Sequence, residues 1–160
     1  MKHSETGRSV DVKMTKADLL AERLDVARAE GLQIAMCHGV FDLLHPGHLR
    51  HLAHARELAD VLVVSITADR FVNKGPGRPA FTETLRAEAL GSLESVDFVI
   101  ITPDATALPA ISAIKPNFYV KGGDYVDEDT DVTGNIRRER ELVESFGGEL
   151  VPTNEIVFSS

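Results

Sequence analysis

The chain has 160 residues, 43% of them hydrophobic, enough for one well-buried core, and we expect a single domain. Seventeen Lys and Arg against 25 Asp and Glu give a formal charge of -8, the wrong sign for a protein that binds by neutralising polynucleotide phosphates, so nucleic acid is excluded as a partner. No apolar run reaches the ~18 to 20 residues of a membrane span, no apolar signal core opens the chain, and the single cysteine, Cys37, rules out an intrachain disulfide framework; a cytoplasmic protein with no membrane contact is the expectation.

In chain order, residues 1–14 are polar and aperiodic and read as a mobile N-terminal arm, with the domain over 15–160. "TKADLLAERLDVARAEG" predicts a helix capped by Thr15, with Asp18 three residues on and Gly31 as its stop. "LQIAMC" reads as a buried strand, "PGHLRHLAHARELA" as a helix, and "DVLVVSIT" as a strand covered on both faces. Helix "TETLRAEALGSLES", strand "DFVII", helix "ATALPAISAI", strand "NFYV", helix "NIRRERELVESFGG" and strand "ELVPT" complete the series. Strands alternating with helices over short connections predict an α/β fold, a Rossmann-like doubly wound parallel sheet of about five strands with helices on both faces. Ligands of such sheets bind at the carboxyl ends of the strands. The residues with chemistry stand there: His45 and His48 after the first strand, Lys74 and Arg78 after the second, "KGGDY" after the fourth. The loop from Arg70 to Phe81 and the acidic stretch "DYVDEDTDVTG" are long enough to serve as lids.

In "GVFDLLHPGHLRHL" a helix begins at Pro46-Gly47. Its unpaired N-H groups and positive dipole end suit a phosphate, and His45 and His48 flank that spot as donors to phosphoryl oxygens. His51 and His54 continue a three-residue spacing, but each such step turns about 60° on a helix, so they swing away and read as ordinary helix-face residues. Zinc-binding helices favour an i, i+4 pair with an acid, and that arrangement is absent, so no protein-held metal is expected.

The stretch "GVFDLLHPGHLRHLAHAREL" resembles the HxGH signature of the nucleotidylyltransferase superfamily, in its cytidylyltransferase-like branch. "NKGPGRP" with Arg86, "YVKGGDY" and "EIVFSS" extend the similarity over roughly residues 33–160, and together they most resemble the module that adenylylates heptose 1-phosphate, found alone or fused to a sugar kinase. The resemblance implies that His45, His48 and Lys74 are catalytic and that Gly39, Val40 and Phe41 wall the α-phosphate. Asp42 is either a buried acid orienting this turn or a cap. Arg86 is expected on the phosphates, and Lys121, Gly122 and Asp124 near the base and ribose. Ser159 and Ser160 match the start of a turn that sits on the triphosphate. For Arg78, a substrate phosphate contact and a solvated loop charge are both open. Two departures stand out: Val40 takes a position where relatives carry Thr or Cys, and the chain stops at Ser160 where relatives continue into a last helix, which suggests a domain lacking its natural C-terminal helix.

The reaction implied is attack of an acceptor phosphate oxygen on the α-phosphorus of ATP or CTP, with Mg²⁺ on the triphosphate, a sugar phosphate as acceptor, and a homodimer as the working form. The rivals are a cytidylyltransferase for a phosphorylated alcohol and a non-catalytic nucleotide-binding domain. Neither a Walker GxxxxGK[ST] sequence nor a GxGxxG fingerprint after the first strand is present, which argues against a P-loop ATPase and a dehydrogenase.

Overall fold

The computed structural model describes residues 13–72, 75–122 and 134–153. Five strands, β1 (Ile34–Gly39), β2 (Val61–Thr67), β3 (Phe98–Thr102), β4 (Phe118–Gly122) and β5 (Glu149–Thr153), form one parallel sheet in the order β3-β2-β1-β4-β5. Among the described residues five α-helices connect or precede them: α1 (Ala17–Ala29), α2 (Pro46–Leu58), α3 (Glu83–Gly91), α4 (Leu108–Ile114) and α5 (Asn135–Ser145). The Rossmann-like fold expected from the alternating pattern is the fold observed. The order reverses at β1, which pairs with β2 on one side and β4 on the other.

Strict alternation along the strands sends side chains to two separate cores. Ile34, Met36, Val63, Ile100 and Tyr119 pack with Leu20, Leu24, Ile111, Ile114 and Val143 of α1, α4 and α5. Ala35, Cys37, Leu62, Val64, Ile66 and Val99 pack with Leu52, Ala55, Ala87 and Leu90 of α2 and α3. Each large aliphatic so buried contributes about 1.5–3 kcal/mol relative to exposure, which is why continuous apolar runs such as "VLVVSI" hold as central strands.

At the rim where the strands begin, side chains close the backbone N-H groups that the sheet leaves over. Asp60 accepts from the Gln33 N-H at 2.7 Å, Asn117 from Ile34 at 2.8 Å, and Asp97 from Leu62 at 2.8 Å while also meeting Arg56 at 3.0 Å.

Several boundaries differ from the sequence reading. Lys13 and Met14 are not part of a mobile arm: Lys13 donates to the Leu93 carbonyl, Met14 bridges Val99, and the Thr15 N-H donates to the Val99 carbonyl at 3.1 Å. They cover the outer edge of β3. With its backbone committed there, Thr15 does not cap α1; Lys16 takes the cap position without a side-chain bond. The third helix ends early at Gly91, where the Ser92 hydroxyl turns back to the Glu88 carbonyl. The fourth begins late at Leu108, because Asp104 holds the N-H and hydroxyl of Thr106 in a turn of its own. The Gly147-Gly148 stop contains two different necessities. Gly147 takes a φ of +87°, whereas a Cβ on Gly148 would stand 2.4 Å from the Pro116 carbonyl.

Candidate active site

The site is built outward from the end of β1. Gly39 sits at a close approach: a Cβ there would lie 3.0 Å from the Phe41 ring, which would have to give way by a few tenths of an ångström. Phe41 itself sits at a left-handed φ of +49°, a position that costs a non-glycine residue energy and needs packing to hold it. Its ring supplies that packing by burying in the α2/α3 core, and it meets His48 edge-on at 5.3 Å.

His45 is the N-cap of α2. Its backbone is extended, and its Nδ1 accepts from the His48 N-H at 3.3 Å. An accepting ring nitrogen carries no proton, so in the neutral ring the proton belongs to Nε2, which becomes the donor offered to a ligand. The His45 and His48 rings stack with centroids 3.7 Å apart. The two histidines predicted to act together are therefore together, at the start of a helix whose first N-H groups are anion donors.

Asp42 does not cap this helix. It crosses to the loop before α3 and accepts from Arg78 Nη1 and the Ala80 N-H, both at 2.9 Å, and from the Phe81 N-H at 3.1 Å. The Ala80 bond first, then those of Phe81 and Arg78, pull its carboxyl down to about 2 against the opposing effect of desolvation. Arg78 is an exposed side chain, 41% open to solvent, and it is paired. The guanidinium is held by Asp42 and lines one cavity of about 350 Å³ with Phe41, Leu43 and His48. The far end of the proposed lid is thus fastened to the HxGH turn.

Arg86 departs from expectation. Its side chain is fully buried, and it donates to the Phe81 carbonyl at 3.0 Å, the Val40 carbonyl at 2.8 Å and Asp69 at 2.7 Å. It is a clamp tying the Gly39–Asp42 turn to two neighbouring segments, and it lines a second cavity of about 470 Å³ with Phe41 and Asp42, not the one shared by His48 and Arg78. Lys121 stands at the end of β4, as expected, but its Nζ pairs with the buried Glu139 of α5 at 3.0 Å. Gly122 ends the same strand, in register with Thr153. Lys74, Asp124, Ser159 and Ser160 lie outside the described residues.

Two residues at this rim, His38 and Glu139, were not singled out by sequence, and a third, His51, reads there as an ordinary helix-face residue. His38, at the end of β1, bonds Ser65 through Nδ1 at 2.5 Å and meets Thr67 through Nε2 at 3.4 Å. Burial, and then the charge of Lys121, push its imidazole down to about 4. His51 is no ordinary helix-face residue: its Nδ1 lies 2.8 Å from the Thr153 hydroxyl, and burial followed by the His54 charge lowers its pKa. Glu139 neutralises Lys121 and raises the Tyr119 phenol further above a value already lifted by burial. The signal for His38 was a polar residue closing an apolar strand run; the contacts of His51 and Glu139 left none. Among the described residues no group of three or more His, Cys, Asp or Glu could hold a metal ion, and no helix is long and apolar enough to cross a membrane.

The profile of the cytidylyltransferase-like family matches residues 36–156, three quarters of the chain and the whole of this rim. The chain belongs to the cytidylyltransferase-like family. By class it is a nucleotidyltransferase. It is 40% identical over 149 residues to the bifunctional protein HldE of Trichlorobacter lovleyi, covering 91% of this chain and 29% of that protein. With the HldE of Nitrobacter hamburgensis it shares 46% over 136 residues, 84% of this chain and 26% of the relative. The chain thus spans under a third of the length of these relatives. Two solved structures share the fold: a lipopolysaccharide core biosynthesis protein from Thermoplasma volcanium, with a TM-score of 0.65 at 24% identity over 79% of this chain and all of that one, and a pantoate-beta-alanine ligase from Francisella tularensis, with a TM-score of 0.59 at 15% identity over 88% and 66%.

Proposed function

We propose that this nucleotidyltransferase moves adenylate from ATP to the phosphate of a sugar phosphate. An acceptor phosphate oxygen forms a bond to the α-phosphorus of ATP, the bond from that phosphorus to the bridging oxygen of the β-phosphate breaks, and pyrophosphate leaves. The observation that carries this reading is the stacked His45–His48 pair on the first turn of α2, with Arg78 across the same cavity from His48. Two imidazole donors, a helix N-terminus and a guanidinium are a set suited to the negative charge that gathers on phosphoryl oxygens during displacement. No protein nucleophile is needed; the work is alignment and charge stabilisation. Magnesium enters as the MgATP complex, its ligands the triphosphate oxygens. The choice of ATP over CTP rests on the resemblance of "YVKGGDY" to enzymes that use ATP, and that of a sugar phosphate on the HldE relatives.

The test is pyrophosphate release from ATP and from CTP, each with a panel of aldose 1-phosphates and glycerol phosphate, in wild type and His48→Ala. ATP with an aldose phosphate is expected to give turnover, and the variant to lose about 10²-fold or more in kcat with its fold intact, since its donor acts most strongly in the transition state. Near-full turnover by His48→Ala would end this reading. We also propose a homodimer, the working form that the family resemblance implies; sedimentation equilibrium giving only monomer mass would refute it.

A further inference from the structure

On the α1/α4/α5 face of the sheet, the apolar layer stops abruptly at the carboxyl ends of three neighbouring strands. Two residues beyond Met36 on β1 stands His38; beyond Val63 on β2 stand Ser65 and Thr67; beyond Ile100 on β3 stands Thr102. Period-two alternation keeps each of these on the same face as the core residue before it. Threonine itself suits a strand, but valine or isoleucine would fill a buried one without a hydroxyl to satisfy.

The group is also incompletely satisfied. Thr102 is buried and its hydroxyl has no hydrogen-bond partner among the described residues, a state that costs free energy in a protein with no use for it. Its register partner across the sheet is Thr67, and the Thr67 hydroxyl meets His38 Nε2 only at 3.4 Å, near the limit of a hydrogen bond. His38, by contrast, is firmly anchored on Ser65 through Nδ1 and remains partly open to solvent. The result is a short row of neutral donors and acceptors, Thr102, Thr67 and His38, running from β3 to β1 and ending beside the Gly39–Asp42 turn. Its lack of charge matters: phosphate suits the Arg78 guanidinium and the imidazole donors at the α2 N-terminus, whereas uncharged polar groups match hydroxyls.

We propose that His38, Thr67 and Thr102 form the ledge that reads the sugar hydroxyls of the acceptor, and so set which sugar phosphate is used. The proposal rests on the reaction proposed above. The row ends at His38, one residue before the Gly39–Asp42 turn whose Phe41 and Asp42 line the His48–Arg78 cavity, so an acceptor with its phosphate in that cavity has the row beside it. Thr102→Val is the informative variant because it keeps shape and removes only a hydroxyl that has no partner among the described residues.

Binding is measured by calorimetry without nucleotide, using methyl phosphate and six- and seven-carbon aldose 1-phosphates on wild type, Thr102→Val and Thr67→Val. Wild type is expected to bind at least one aldose phosphate about tenfold or more tightly than methyl phosphate, and each valine variant to lose most of that difference while keeping its methyl phosphate affinity and melting temperature. A wild type that does not separate the sugars from methyl phosphate overturns the ledge. So do variants that keep the full preference, or that weaken both ligands equally. Pyrophosphate release is scored separately, so a protein that shows the preference without turnover would refute the reaction and leave the ledge standing.

Discussion

Because Nδ1 of His45 accepts the His48 N-H, replacing His45 by alanine removes a helix cap as well as a ring. The two effects separate with His45→Asn, since asparagine is among the best N-cap residues. We expect His45→Asn to stay within about 0.5 kcal/mol of wild type in urea unfolding, and His45→Ala to lose a further ~1 kcal/mol, while both lose turnover by about 10²-fold. An asparagine variant with wild-type turnover would leave His45 with only its cap. His38 makes a different prediction. Its imidazole titrates near 4 in the fold and near 6.5 in an unfolded chain. Between those values the unfolded state binds more protons, so the stability owed to neutral His38 is complete above pH ~6.5 and drains away as pH falls toward ~4. The charged groups facing it are Lys121, from β4, and Glu139 of α5 paired behind that lysine. His38→Gln should therefore flatten the fall in the urea midpoint between pH 7 and 4.5, with a residual slope from His51, whose pKa is lowered as well. Identical slopes in the two proteins would show that His38 does not drive it.

Among the elements, α3 and β5 carry the sharpest tests. Arg86 fastens the start of α3 to the Val40 and Phe81 carbonyls, and lysine cannot reproduce a fork that reaches three acceptors. Arg86→Lys should lower stability by about 1–3 kcal/mol, with an unchanged urea m-value; a nucleotide KM defect at full stability would restore the phosphate role. Gly148→Ala should be costly as well, because the atom it meets is a backbone carbonyl that cannot step aside. A melting temperature equal to wild type would contradict that clash. These two residues mark where sequence reading stops. The five strands and the helices behind them were legible because periodic burial is written locally, in runs such as "VLVVSI" and "LPAISAI". The His45–His48 pair was legible for the same reason, three residues apart at a helix start. The inward turn of Arg86, the reach of Asp42 to Ala80, and the meeting of His51 with Thr153 join positions 38 to 102 residues apart, or across a turn, and no periodicity encodes them. Thr15 failed as a cap for a related reason: its backbone was already claimed by Val99.

For the molecule as a whole, the sheet has two unlike rims. Where strands begin, Asp60, Asp97 and Asn117 close backbone donors in a purely structural role. Where strands end lie the cavity of His48 and Arg78, the Lys121–Glu139 pair and the His38 row. Asp97→Ala is expected to cost about 1–3 kcal/mol by orphaning the Leu62 N-H, with kcat and both KM values unchanged; a kinetic defect at matched folded fraction would contradict the division. That separation has an evolutionary consequence. If the proposed ledge reads the acceptor, a lineage can exchange one hydroxyl-bearing residue after another on the second rim without disturbing the seams on the first, and so change its acceptor while keeping the same foldable core. A laboratory library confined to positions 38, 67 and 102 would sample that same freedom, starting from a protein that already folds.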